Sequence, residues 1–245
     1  MKLENKTAIV TGASKGIGAA IALKLAADGA AVVVNYARGE SAARSVVEEI
    51  EKAGGKAIAV QGDVGDPSAV PALFDAAEAA FGPVDVIVNN AGMMRLSPLA
   101  NATNADFNDH IAVNLGGVFY GMREAAKRLR DGGRIISLST SVIGAYPPGY
   151  GLYAATKAAV EAMTHILSKE LGSRGITVNV IAPGPVETEL FMHGKTEELV
   201  ANIARSIPLG RLGQPDDIAD AVAFLAGPDG RWVNGQTIRV NGGMV

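Results

Sequence analysis

Seven short apolar runs, separated by longer stretches of mostly helical periodicity, constrain this chain more than any other feature. The runs are Thr7–Thr11, Ala31–Tyr36, Lys56–Gln61, Val84–Asn90, Arg134–Ser139, Ile176–Ala182 and Thr237–Val240. They are rich in valine and isoleucine and do not alternate strictly with polar residues, which is the pattern of strands covered on both faces. The helical stretches cover about 16–28, 40–53, 67–81, 105–130, 152–173 and 216–226. Such alternation demands right-handed crossovers and predicts an α/β fold, a doubly wound parallel sheet with helices on both faces in three layers. No proline- or serine-rich linker divides residues 1–245 and no repeat is present, so one domain is expected. The segment 183–208 is less regular, broken by Pro183, Gly184, Pro185 and Gly194. Parallel sheets bind ligands beyond the carboxyl ends of their strands, so a substrate lid is expected around residues 186–208.

Composition removes several functions. The net charge of −3 provides no basic field to draw the chain to nucleic acid or an anionic membrane. There is no cysteine, which excludes disulfides, thiolate catalysis and zinc–sulfur sites. His110, His165 and His193 lie far apart and lack metal-ligand spacing, so no metal site is expected. The amino-terminal segment enters a strand pattern at once and no long apolar run follows, from which a soluble, cytoplasmic protein is expected.

Between the first strand and the first helix lies Thr11-Gly12-Ala13-Ser14-Lys15-Gly16-Ile17-Gly18. Gly12 permits a tight turn, Gly16 lets backbone N–H groups approach a pyrophosphate, and Gly18 lets helix and strand pack closely. The helix N-terminus then offers unpaired donors and partial positive charge to a phosphate. A dinucleotide site is expected here. An acid at the end of the second strand would hold the ribose 2′-OH of NAD. That end carries Asn35 and Tyr36 instead, while Lys15 and Arg38 could meet a 2′-phosphate, so NADP(H) is favoured over NAD(H).

The segment Tyr146–Met163 holds three tyrosines, and only Tyr153 has a lysine four residues on, Lys157. Positions i and i+4 share a helix face. A free phenol has a pKa of about 10 and is a sluggish acid at neutral pH. An ammonium close by favours the phenolate, so Lys157 is expected to lower the pKa of Tyr153 and tune it for proton transfer with an alkoxide or alcohol.

Taken together, "TGASKGIG", "GDV" at 62–64, "NNAG" at 89–92, Asn114 in "VNLGG", "YAATK" at 153–157 and "PGPVET" at 183–188 resemble the short-chain dehydrogenase/reductase family over essentially the whole chain. The resemblance implies a Rossmann-type fold with seven strands, NAD(P)(H), and hydride transfer at a carbonyl or alcohol carbon. It implies that Lys157 also binds the nicotinamide ribose and that Asn114 holds a water relaying protons to Lys157. Asp63 and Val64 would meet the adenine, and Asn90, Ala91 and Gly92 would floor the cofactor site. Pro183 and Gly184 would bind the cofactor, and Val186 and Thr188 would contact its carboxamide. The family also uses a hydroxyl to polarise the carbonyl. Its usual spacing from the tyrosine points to Thr140, whereas the serine-x-x-glycine pattern ending at Gly144 points to Ser141; either can donate.

The nearest resemblance is to the branch of 3-oxoacyl-[acyl-carrier-protein] reductases, on "IPLGRLGQPDDIADAVAFLAG" and "GQTIRVNGGM". Arg174, with Arg128 or Arg130, could then contact an acidic acyl carrier protein. A broad secondary-alcohol, sugar or polyol dehydrogenase is the alternative, and a non-catalytic NADP(H)-sensing regulator is the alternative of another class. The expected pocket rim is Met94, Tyr146, Pro147, Tyr150, Leu190 and Met192, suited to a small carbonyl or an acyl thioester. A homotetramer is implied by the family, with the helical stretches 105–130 and 152–173 as candidate interfaces.

Overall fold

The computed structural model describes residues 1–245. Its strands are β1 (Thr7–Val10), β2 (Ala31–Tyr36), β3 (Lys56–Gln61), β4 (Val86–Asn89), β5 (Arg134–Leu138), β6 (Thr177–Pro183) and β7 (Thr237–Val240). They form one sheet in the order β3-β2-β1-β4-β5-β6-β7, and every pair is parallel. The helices are α1 (Gly16–Ala27), α2 (Glu40–Lys52), α3 (Ala69–Phe81), α4 (Asn104–His110), α5 (Gly117–Arg128), α6 (Val142–Ala145), α7 (Gly151–Glu170), α8 (Glu189–Met192), α9 (Glu197–Ser206) and α10 (Pro215–Ala226).

Both faces of the sheet are buried, which is why the strand runs lack polar alternation. Ala8, Val10, Val32, Val34, Val86 and Val88 pack with α1, α2 and α10 on one side. Their neighbours Ile9, Val33 and Ile87 point the other way, toward α3, α5 and α7. This is the three-layer, Rossmann-type arrangement expected. The strand order reverses between β1 and β4, and a crevice opens there beyond the strand ends.

Two departures from the sequence reading matter for the site. The stretch 105–130 reads as one helix, but the backbone widens into a π-helical turn at Ile111–Gly116 between α4 and α5. Asn114, fully buried, lies in that turn, and such turns recur at functional sites. The residues 197–206, read as part of an irregular segment, form α9. Thr196 caps it by accepting from Leu199 N, acids Glu197 and Glu198 occupy its first turn, and Arg205 its last. None of its residues is buried.

The close approach of α5 to β4 depends on Gly121. A Cβ there would sit 1.9 Å from Asn89 Oδ1 and 2.8 Å from its Cγ. Gly121→Ala should therefore destabilise the protein by about 1–3 kcal/mol through overpacking. A denaturant titration checks this; an unchanged midpoint would mean that α5 can retreat from the sheet at no cost.

Candidate active site

Beyond β1 the chain turns at Gly12 (φ +62) and Gly16 (φ +56), both in the left-handed region that favours glycine. A Cβ on Gly12 would lie 2.9 Å from Ala91 Cα, and one on Gly18 would lie 2.3 Å from Gly12 O. The loop after β4 braces this turn. Asn90 Nδ2 donates to Thr11 O (2.8 Å) and Gly12 O (3.0 Å). Thr11 Oγ1 accepts from the N–H groups of Asn90 and Ala91, each at 3.0 Å. Thr11 was not among the residues expected at the site; a hydroxyl at the end of β1, one residue before the glycine turn, was the available signal.

The residues fit a dinucleotide. The N–H groups of Ser14, Lys15, Gly16 and Ile17 find no protein acceptor. The N-terminus of α1 has no side-chain cap and no acid in its first turn. These are the free donors that a pyrophosphate takes at a helix start. Asn35, expected at the cofactor, braces the glycine turn. It is buried, accepts from Gly12 N (3.1 Å) and donates to Gly62 O (2.9 Å), so it holds the glycine turn against the loop after β3. Tyr36 is buried in the core beside it. Arg38 is exposed at the end of β2 and makes no ion pair. Lys15 pairs with Glu189 at 2.6 Å. Asp63 Oδ1 accepts from Gly65 N (3.0 Å), and Val64 packs under Gly117, whose Cβ would meet it at 2.7 Å.

On the other side of the crevice, β6 runs through Pro183 into Gly184, whose N–H donates to Val240 O (2.9 Å). Val186 is buried against the core. Thr188 caps α8 by accepting from Phe191 N. It also reaches the glycine turn: a Cβ on Gly16 would lie 3.4 Å from Thr188 Cγ2.

The chemistry gathers on α7. Tyr153 and Lys157 are one turn apart, and the Lys157 amine lies 5.9 Å from the Tyr153 ring centroid. Lys157 is buried and donates to Leu138 O (2.8 Å) at the end of β5. Both it and Asn114 Oδ1 approach Gly92, whose Cβ would sit 3.4 Å from the amine and 3.3 Å from the amide oxygen. Asn114 Oδ1 accepts from Met93 N (2.8 Å) and Asn114 Nδ2 donates to Met93 O (2.9 Å), so the π-turn clamps the strand-end loop directly.

The hydroxyls at the end of β5 separate clearly. Thr140 faces the Tyr153 side chain closely enough to favour its phenolate, and its hydroxyl accepts from Val142 N (3.2 Å). Ser141 Oγ points away, donating to Ala182 O (2.9 Å) and accepting from Asn241 Nδ2 (3.0 Å). Ser139 Oγ donates to Glu161 (2.7 Å), one further turn along α7. Neither Glu161 nor Asn241 was foreseen, although Glu161 continues the four-residue spacing of Tyr153 and Lys157.

The expected pKa of Tyr153 needs correcting. Burial, the largest influence, pushes the phenol up to about 12; Thr140 opposes this and Tyr150 adds to it. Tyr153 keeps some solvent contact, and Lys157, although on the same helix face, is not among the groups that move its pKa. The same burial pushes Lys157 down to about 8. A phenol that stays protonated is suited to giving a proton to a developing alkoxide.

The rim residues Met94, Tyr146, Pro147, Tyr150, Leu190 and Met192 all retain solvent contact. Tyr146 takes a left-handed conformation at φ +46, a strained geometry for a side chain of its size. The arginines considered for a carrier protein are engaged within the chain. Arg174 bonds Asp131 and the carbonyls of Ala126 and Leu129 at the end of α5. Arg128 binds Glu78 and Asp75, and Arg130 lies 3.7 Å from Asp85.

A family model described as enoyl-(acyl carrier protein) reductase matches residues 12–245. The chain is 48% identical to an NADPH-dependent aldehyde reductase-like protein, chloroplastic, of Arabidopsis thaliana, with 100% of this chain and 96% of that one covered. It is 41% identical to a versicolorin reductase of Emericella nidulans, covering 99% and 96% respectively. Among solved structures, a short-chain dehydrogenase from Burkholderia cenocepacia in complex with NADP superposes with a TM-score of 0.94 at 41% identity, covering 100% of this chain and 99% of the other.

Proposed function

The chain belongs to the short-chain dehydrogenase/reductase family, and from that premise we propose that it reduces a ketone or aldehyde to the alcohol with NADPH. The observation that carries this reading is the pairing of Tyr153 with Lys157 on α7, where the Lys157 amine and the Asn114 amide oxygen both face Gly92 at the strand ends. When bound, NADPH supplies the hydride. The N-terminus of α1 receives the pyrophosphate, and Lys157 faces the ribose. Thr140 donates to the substrate oxygen, Tyr153 gives that oxygen its proton, and Lys157 with Asn114 restores the proton. Residues 186–208, with α8 and α9, form the lid within a single catalytic domain.

The test mixes the protein with NADPH and a panel of aldehydes, ketones, sugars and acetoacetyl thioesters, and follows the absorbance of the reduced nicotinamide. Oxidation by at least one carbonyl is expected. Binding without oxidation by any of them would favour a sensing role and overturn the proposal. Within the enzyme reading, small free carbonyls are favoured over a carrier-bound acyl group, because Arg128, Arg130 and Arg174 are each held by acids of the chain itself. Acceleration of thioester reduction by acyl carrier protein would reverse that preference.

Arg38 is proposed to read the 2′-phosphate. Arg38→Asp should weaken NADPH relative to NADH by roughly ten- to a hundredfold, the worth of a hydrogen bond to a charged group. An unchanged ratio of dissociation constants would remove Arg38 from that role.

A homotetramer is proposed on the exposed Phe107 of α4, Ile111 of the π-turn, Phe119 of α5 and Ile166 of α7; sedimentation reads the mass. No helix is long and apolar enough to cross a membrane. A cytoplasmic home is proposed, whereas the plant relative is chloroplastic by its name; cell fractionation decides between the two.

A further inference from the structure

Lys15 is one of two cations placed for the 2′-phosphate, yet its amine rests on an acid across the crevice. Lys15 stands at the N-cap of α1 and Glu189 opens α8 at the start of the lid. Their charged atoms meet at 2.6 Å, and both side chains are largely exposed, at 68% and 74%. The pair does not stand alone. Thr188, next to Glu189, lies against Gly16, next to Lys15. The lid and the glycine turn therefore touch at two successive positions. Lys15 is the only ion-pair partner of Glu189, with His193 acting on the carboxylate more weakly, and Lys15 has no other acid. Arg38, the second cation, makes no such bond.

We propose that Glu189 is a specificity-determining residue for the cofactor: its carboxylate competes with the 2′-phosphate for Lys15. This rests on the NADPH reading above. A carboxylate is an intramolecular substitute for one anionic face of a phosphate, and each N–H that the three-donor ammonium gives to Glu189 is withheld from the phosphate. Binding of NADPH draws Lys15 off Glu189 and loosens one of the two ties between lid and glycine turn. NADH, without the 2′-phosphate, leaves the pair in place. Glu189 thus subtracts from NADPH affinity and leaves NADH affinity nearly unaltered. Because the pair is solvent-exposed, the effect is modest, about two- to fivefold, as for other surface ion pairs.

The experiment measures dissociation constants of NADPH and NADH by nicotinamide fluorescence, without substrate. The proteins are wild type, Glu189→Gln, Lys15→Met and the double variant. Glu189→Gln should tighten NADPH by about two- to fivefold and shift NADH much less. In the Lys15→Met background the same substitution should lose its NADPH-selective effect, since the competition needs the lysine. Equal tightening of both cofactors would mean general charge repulsion, and equal weakening would mean a latch that stays closed; either overturns the proposal. A selective effect that survives in Lys15→Met also overturns it. A wild type that does not prefer NADPH would instead overturn the cofactor reading, which the same titration reveals separately. All substituted side chains are exposed, so circular dichroism should show unchanged folding.

Discussion

Replacing Tyr153 with phenylalanine should lower the turnover number by about 10²–10⁴, the usual contribution of a positioned proton donor, while NADPH still binds. The substitution removes one oxygen and leaves the ring beside Lys157 and Tyr150. The cofactor-facing backbone of the glycine turn is untouched. Near-normal turnover would refute the assignment of the donor, and lost NADPH binding would mean that the phenol holds the cofactor more than it does chemistry. The raised pKa also fixes a pH dependence. With Tyr153 pushed up to about 12, the proton it must give in carbonyl reduction is present throughout the neutral range. Reduction should therefore show no titration of this group near neutrality. Alcohol oxidation needs the phenolate, whose fraction rises about tenfold per pH unit below that pKa. The oxidative rate should climb with pH into the alkaline range. Rate profiles in both directions check this; an oxidative rate that is flat with rising pH would contradict it.

Replacing Thr140 with valine should cost about 10²–10³ in turnover, the scale of losing one oxyanion donor, with little change in shape. Ser141→Ala should act differently. The Ser141 hydroxyl joins Ala182 O and Asn241 and so ties the ends of β5 and β6 to the chain beyond β7. Its loss should lower stability by about 1–3 kcal/mol, leaving a buried acceptor unmet, and slow turnover less than Thr140→Val does. The opposite ranking of the two variants would move the carbonyl-polarising role to Ser141.

The contrast between these hydroxyls shows where sequence reading stops. Strand positions were legible because burial on both faces forces a distinctive run of valine and isoleucine, and the glycine turn because its conformations suit little else. The Tyr153–Lys157 pair was legible because helical spacing alone makes them neighbours. The choice between Thr140 and Ser141 was not, since it depends on how β5 leaves the sheet, and two spacing rules disagreed by one residue. The sign of the Tyr153 shift was misjudged for a related reason. Spacing reveals a nearby amine, but burial is a property of the assembled fold, and here burial is the largest influence on the phenol. A strand-end position points Asn35 to the cofactor, while its amide's bonds to Gly12 and Gly62 become visible only in the folded chain. The helix α9 was overlooked because the breaks at Pro183 to Gly194 drew more weight than the capping residues Thr196 to Glu198 that follow them.

The wide turn at Ile111–Gly116 has a bearing on how this enzyme can change. A π-turn is an α-helix that has absorbed one surplus residue. Excising a residue there would let the ladder close into ordinary helix, with α4 and α5 still presenting their existing sides to the sheet. The scaffold would survive such a deletion, whereas the amide of Asn114 would be carried off Met93. The scaffold and the clamp of Asn114 on Met93 are thus separable by a single codon.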